Sequence, residues 1–428
     1  MRFRTYSKWI RLNEFKTSGL NLLIPIFRVI CSISIILSFS EASSSIDISN
    51  NVKRFRSTHS CTEPQIPIPL GLSFSLWRRR NPPDNPVTPK KVALGKTLYF
   101  DKRLSSDQTV SCATCHDPAH AFTDHQVVAV GVSSTSGPRN TPSILNAMFS
   151  DRLFWDGRAT SLEDQVLQPL MNPFEMGMEN GDAIVERVRA VPNYRLKFKR
   201  IFKDQGITLQ NIAKAIATFE RIQLSGNSPF DRFIAGDWAA ITEPQKRGWE
   251  LFKGKAGCIV CHKFSGDSPF FTDFLFHNTG VFTKGMDFPE LVRFQKLIEN
   301  GSPDAAIFFP TTQTRPAAPV LSHANGFSEL GRYLVTKEAK DLGAFKTPSL
   351  RDVELTTPYM HNGSVKTLIG VVQFYNRGAN PNANLDRQIQ PLHLTDKEVN
   401  EIVEFMRALT SDDVLRQCQE SIPQSRTR

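Results

Sequence analysis

Hydrophobic positions along the chain recur mainly at helical spacing. In "TLQNIAKAIATFERI", Leu209, Ile212, Ile216 and Phe219 fall on one face of a 3.6-residue repeat. "TDKEVNEIVEFMRALT" does the same with Val399, Ile402, Val403 and Met406, and it opens on Thr395 and Glu398 at capping-box spacing. "SLEDQVLQPL" starts at Ser161 with Asp164 three residues on. "TEPQKRGWELF" pairs Thr242 with Gln245 and carries Pro244 in the first turn, where proline is tolerated. No sustained alternation of apolar and polar residues marks a strand. The pattern predicts a mostly α protein with long Gly/Pro-rich loops.

The remaining stretches break that rhythm. Residues 43–90 are polar and proline-rich and read as an extended arm. Residues 283–342 read as a long loop or insertion, because "FFPTTQTRPAAPVLSHANG" is too interrupted by proline for a helix. At the start, a basic stretch precedes the apolar run "VICSISIILSFS" and the small residues "EASSS". This order predicts an export signal over 1–42, cut near Ala42, with an uncleaved anchor as the competing reading. The expected organisation is then a signal peptide (1–42), an arm (43–90), two helical domains (91–236 and 237–415) and a tail (416–428).

Composition adds little to this picture. Of 428 residues, 40% are hydrophobic and 22% charged, as in ordinary globular proteins. The net charge of +10 falls to +6 without the first 42 residues, and no basic run is interleaved with aromatics. Nucleic-acid binding is therefore not expected.

The cysteines change the picture. Four of the seven form two CxxCH motifs, "CATCH" (Cys112, Cys115, His116) and "CIVCH" (Cys258, Cys261, His262), 146 residues apart. A structural zinc site needs paired CxxC motifs about 15–20 residues apart. A thioredoxin-type CxxC belongs to a βαβ context that the chain lacks. CxxCH suits covalent haem, in which two thioethers hold the macrocycle and the adjacent histidine is the proximal iron ligand. Each motif follows a helical segment, so the chain reads as a domain-scale duplication carrying two haem c groups. Of the other cysteines, Cys61 and Cys418 are candidates for a disulfide.

"GPRNTPSILNAMF", "LFWDGRATSLEDQVLQPLMNPFEMG", "FHNTGV" and "LGAFKTPSLRDVELTTPYMHNGSVKTLIGVVQFY" strongly resemble the bacterial di-haem cytochrome c peroxidase/MauG family, over about residues 92–412. The resemblance implies two cytochrome c-like domains, with hydrogen peroxide reacting at the His116 haem. It implies that Trp155 relays electrons between the haems, that Gln165 lies on the distal side and that Glu175 is the distal acid–base catalyst. Taken alone, Trp155 would be a core aromatic and Glu175 a solvated acid. Conventional members carry a ligand histidine five residues before the glycine of "GPRN"; here Val132 stands there, and His120 and His125 are out of register. Fourteen residues after His361, conventional members carry a methionine on the second iron. Here Tyr375 takes that place, as in the MauG branch, and Met360 is the competing ligand. A phenolate favours the higher oxidation states that a thioether disfavours. The MauG-like reading is a high-valent His116 haem that oxidises a donor through the Tyr375-ligated haem.

The resemblance further implies that His361 contacts a haem propionate. It implies Ca²⁺ between the domains, held by the Asn140 side chain and the carbonyls of Thr356 and Pro358. The implied partner is an electron-donor protein (a small cytochrome c or copper protein) or a protein substrate, in the periplasm. The alternatives are a conventional peroxidase and a non-enzymatic di-haem electron carrier or redox sensor.

Overall fold

The computed structural model describes residues 66–266, 269–282, 286–300 and 327–421. Cys61–Arg428 forms one compact unit. Within it are two large apolar clusters, one drawn from residues 94–219 and the other from 230–409.

The two clusters are built alike. In the first, the Pro89–Tyr99 helix crosses the Leu209–Glu220 helix, and Leu94, Leu98 and Tyr99 meet Ile212, Ile216 and Phe219. In the second, the Glu243–Lys253 helix crosses the Asp396–Arg407 helix, and Trp249 and Phe252 meet Val399, Ile402, Phe405 and Met406. The periodic faces read in the sequence are therefore the buried faces. A glycine lies at each crossing. A Cβ on Gly95 would lie 1.9 Å from the Ala215 carbonyl oxygen, and a Cβ on Gly248 would lie 1.9 Å from that of Glu401. Four residues beyond each contacted carbonyl, an aromatic ring closes the crossing. Tyr99 meets Phe219 at 4.9 Å, and Phe252 meets Phe405 at 5.0 Å.

Capping sets where these helices begin. Thr242 with Gln245, and Thr395 with Glu398, form complete capping boxes. At Ser161 only half of the box forms: the Ser161 hydroxyl accepts from Asp164 N–H, while Asp164 accepts from Thr160 N–H instead. Among the described residues the only sheet is a two-residue antiparallel pair, β1 (Phe276–His277) and β2 (Phe345–Lys346), with Phe276 opposite Lys346.

Two expectations change. The proline-rich arm is not wholly extended, since Phe74–Arg80 is helical and capped by Ser73. Seven residues are too few to hold a helix alone; burial of Trp77 among Val87, Met148, Phe149 and Phe270 secures it. The 283–342 segment is not only loop, because Phe288–Glu299 is helical and Leu291 packs on Phe327, Leu330 and Tyr333. The proline-broken stretch within it lies outside the described residues, as do the signal region and Cys61. Cys418 is buried, with its Sγ 3.5 Å from the Pro118 carbonyl oxygen. Among the described residues no helix is long and apolar enough to cross a membrane.

Candidate haem site

Both CxxCH motifs open onto one cavity of about 500 Å³. Each motif is a single helical turn that hangs its histidine from the first cysteine. His116 N–H donates to the Cys112 carbonyl, and His262 N–H donates to that of Cys258, both at 2.9 Å. The ring orientations are also set alike. His116 Nδ1 lies 3.2 Å from the Phe122 carbonyl oxygen, and His262 Nδ1 lies 2.9 Å from that of Phe271. A carbonyl only accepts, so Nδ1 carries the proton and Nε2 keeps the lone pair that a metal requires. Phe122 and Phe271 both sit in the left-handed region, at φ of 60° and 54°. That conformation costs a bulky residue on the order of 1–3 kcal/mol. Its recurrence marks a shared device for aiming the imidazole.

Electrostatics fit covalent haem better than the other readings of CxxC. Burial pushes the Cys115 and Cys258 thiols up to about 12 and Cys261 up to about 11, and it raises Cys112 further. A redox-active CxxC needs a lowered thiol instead. Burial lowers both His116 and His262, which keeps them neutral as ligands require. Among the described residues the one cluster with metal-ligand chemistry is Cys261, Asp273 and His277. Both His277 ring nitrogens are already engaged there, Nδ1 with Asp386 at 2.6 Å and Nε2 with Asp273 at 3.0 Å. The residues present therefore fit two haem groups, each with one histidine ligand ready.

The distal candidates converge on the His116 side. Gln165, on the Leu162–Met171 helix, and Glu175, on the loop after it, line the cavity. Asn172 Nδ2 donates to Glu175 Oε1 at 2.6 Å. Burial raises the Glu175 carboxyl above its ordinary range, against the opposing pull of Arg158 and the Asn172 hydrogen bond. Val132 is part of the first apolar cluster, and its N–H donates to the Glu175 carbonyl at 2.9 Å. The position where a ligand histidine was absent from sequence thus supports the Glu175 loop by its backbone. Gly131 permits this contact, since a Cβ there would lie 2.1 Å from the Phe174 carbonyl oxygen. His120 and His125 stack on each other at 4.3 Å, and neither lines the cavity.

Trp155 joins the two halves. Its indole N–H donates to the Asn140 carbonyl, and its own carbonyl accepts from Lys346 N–H, both at 2.8 Å. His361 meets the Trp155 ring edge-on at 6.4 Å and stacks on Phe345 at 3.6 Å. The His361 Nε2 is engaged by buried Glu329 at 3.0 Å. Tyr375, on the Leu368–Asn376 helix, lines the His262 side of the cavity, and burial raises its phenol to about 12 with Thr279 opposing. Met360 lines the same cavity. Asn140, Thr356 and Pro358 also line it. The Asn140 amide nitrogen donates to the Gln126 carbonyl at 2.9 Å, which leaves its oxygen for another partner.

Sequence reasoning missed several residues here. Arg139 and Arg158 flank buried Asp156 at 2.7 and 3.0 Å. Burial would raise the Asp156 carboxyl, but the two guanidinium groups bring it to about 2. Asn172 and Glu329 were missed because no spacing rule links them to Glu175 and His361. His277 was visible within "FHNTGV", but its partners Asp273 and Asp386 are met only in the fold.

Two CxxCH turns with matched imidazole supports around one cavity define a two-centre c-type cytochrome. Similarity to known proteins sharpens that class. A family model described as di-haem cytochrome c peroxidase matches residues 89–239. Methylamine utilization protein MauG of Methylorubrum extorquens is 38% identical over 333 residues, covering 78% of this chain and 81% of that protein. Cytochrome-c peroxidase IdrP1 of Denitromonas iodatirespirans is 37% identical over 339 residues, covering 78% and 85%. The crystal structure of a MauG-like protein associated with microbial copper homeostasis superposes with a TM-score of 0.63 at 31% identity, covering 82% of this chain and 95% of that one. The chain belongs to the di-haem cytochrome c peroxidase/MauG family, and it is a di-haem peroxidase of that type.

Proposed function

We propose that this chain is a periplasmic, MauG-like enzyme that turns over hydrogen peroxide and oxidises a donor protein or protein substrate. The observation that carries the MauG-like branch is Tyr375, half-buried on the His262 side of the cavity at the position of the conventional methionine, together with Val132 in the apolar core. The haem at His116, when bound, supplies the iron at which peroxide is cleaved. Glu175 would take the proton from one peroxide oxygen and return it to the other as the O–O bond breaks, as a half-buried carboxyl of raised pKa suits. Asn172 holds that carboxyl through Oε1, and Gln165 orients the peroxide. Trp155 passes electrons between the two halves, with its indole N–H fixed on Asn140. Ca²⁺ is proposed on the Asn140 side-chain oxygen and the Thr356 and Pro358 carbonyls, where hard oxygen ligands suit it.

Stoichiometric peroxide added to the purified diferric protein without reductant tests this reading. The expected result is a rapid, long-lived spectral change in both haems. A response only after one haem is pre-reduced would assign the conventional peroxidase, and inertness in both states would leave an electron carrier.

A further inference from the structure

The wall of the cavity around Trp155 is short of negative charge. Arg139, Arg158 and Lys346 all line it. Asp156 neutralises one unit, lying between Arg139 and Arg158, and Glu175 on the same wall acts on Arg158 and Arg139 rather than on Lys346. Among the described residues Lys346 has no carboxylate at ion-pair distance. Its ammonium donates only to neutral oxygens, the Arg152 carbonyl at 2.9 Å and the Ser150 hydroxyl at 3.1 Å. Arg139 spends its two terminal nitrogens on Asp156 and on the Ser328 carbonyl at 2.9 Å, while its buried Nε–H has no partner. Burial lowers the Lys346 ammonium to about 8, with Asp156 opposing from a distance.

Arg139 is buried and Lys346 half-buried on this wall; cations withdrawn from solvent in this way persist where a counter-charge meets them, because an unpaired one is costly. A c-type haem bonds the protein through its vinyl groups and keeps its propionate carboxylates as free anions. Lys346 is also tied to the inter-haem tryptophan, since its backbone N–H donates to the Trp155 carbonyl.

We propose that Lys346 is the anchor for a haem propionate next to Trp155, with the Nε–H of Arg139 on the wall of the same cavity, and that its charge sets the potential of that haem. The proposal rests on the di-haem reading above. Lys346 is a positioning residue for Trp155 through its backbone and a ligand-binding residue through its amine. Its positive charge offsets the propionate, so losing it leaves negative charge near the iron and favours the ferric state.

The experiment is spectroelectrochemical titration of haem-loaded wild type, Lys346→Met, Lys346→Gln and Lys346→Arg, after a pyridine haemochrome assay has counted covalent haems. The Met and Gln variants are expected to lower one of the two midpoint potentials by about 59 mV, a tenfold shift in a one-electron equilibrium. The Arg variant is expected to keep it. The propionate bending band in resonance Raman is expected to move in the Met and Gln variants only. Gln keeps an N–H donor on a neutral side chain one bond shorter, so it carries the test if Met fails to mature. Two haems with both potentials unchanged in Met or Gln would overturn the anchor. Fewer than two haems in the wild type would overturn the reading beneath it instead.

Discussion

Glu175, the acid–base group of the proposed reaction, shows how little of a side chain's setting is visible before folding. By composition it is one acid among many, yet in the fold it is half-buried on the cavity wall, bonded to Asn172 and influenced by Arg158. Replacing it with glutamine keeps the size and the Asn172 contact but removes the base. Steady-state peroxide turnover by Glu175→Gln is expected to fall about 10²–10⁴-fold, the usual contribution of a positioned acid–base group. The pH dependence follows from its raised pKa. The active form for proton abstraction is the carboxylate, which is lost as pH falls through the folded-state pKa. Turnover is therefore expected to decline on acidification, with its inflection above the ordinary carboxylate range; an inflection at or below that range would assign the limb to another group. At Phe122 and Phe271 the residue scale is a matter of backbone. Two left-handed phenylalanines spend their strain on carbonyls that aim His116 and His262.

At the scale of elements the two halves repeat one solution. A capped helix with a glycine at its centre crosses a second helix, and an aromatic pair closes the crossing. Gly95 and Gly248 let the backbones approach to a distance that no side chain allows. The neighbour in each case is a backbone carbonyl, which cannot rotate away as a side-chain tip would. Gly248→Ala is expected to destabilise the protein by about 1–3 kcal/mol, the usual cost of overpacking. Comparison of denaturant midpoints at fixed haem loading checks this. A midpoint within error of wild type would mean that the crossing can open without loss. The shorter elements carry another lesson. Phe74–Arg80 and Phe288–Glu299 escaped the sequence reading because they lie in stretches dominated by proline, charge or loop residues. What holds them is a few contacts from distant segments, through Trp77 and Leu291.

For the whole molecule, the consequence of folding is that both CxxCH motifs and the residues between them share one cavity. Ca²⁺ bridging would belong to this scale, since Asn140 and the Thr356–Pro358 segment come from opposite halves. Chelator treatment is expected to slow the reaction with peroxide, and added Ca²⁺ but not Mg²⁺ is expected to restore it, as a roomy carbonyl site prefers the larger ion. A rate indifferent to chelation, with metal analysis showing no bound calcium, would remove the ion from the account. Sequence by itself was enough for the helical character, the duplicated haem attachment and the Tyr375 and Val132 departures. The first is carried by local periodicity and the second by residues within a few positions of one another, while the two departures show only against the family pattern the chain resembles. Tertiary structure alone decided which charges meet. Asp156 between its two arginines, Glu329 on His361, Asp273 and Asp386 on His277, and Lys346 beside Trp155 join residues up to 191 positions apart. Hydrogen bonds and desolvation act through space, and no spacing along the chain encodes them.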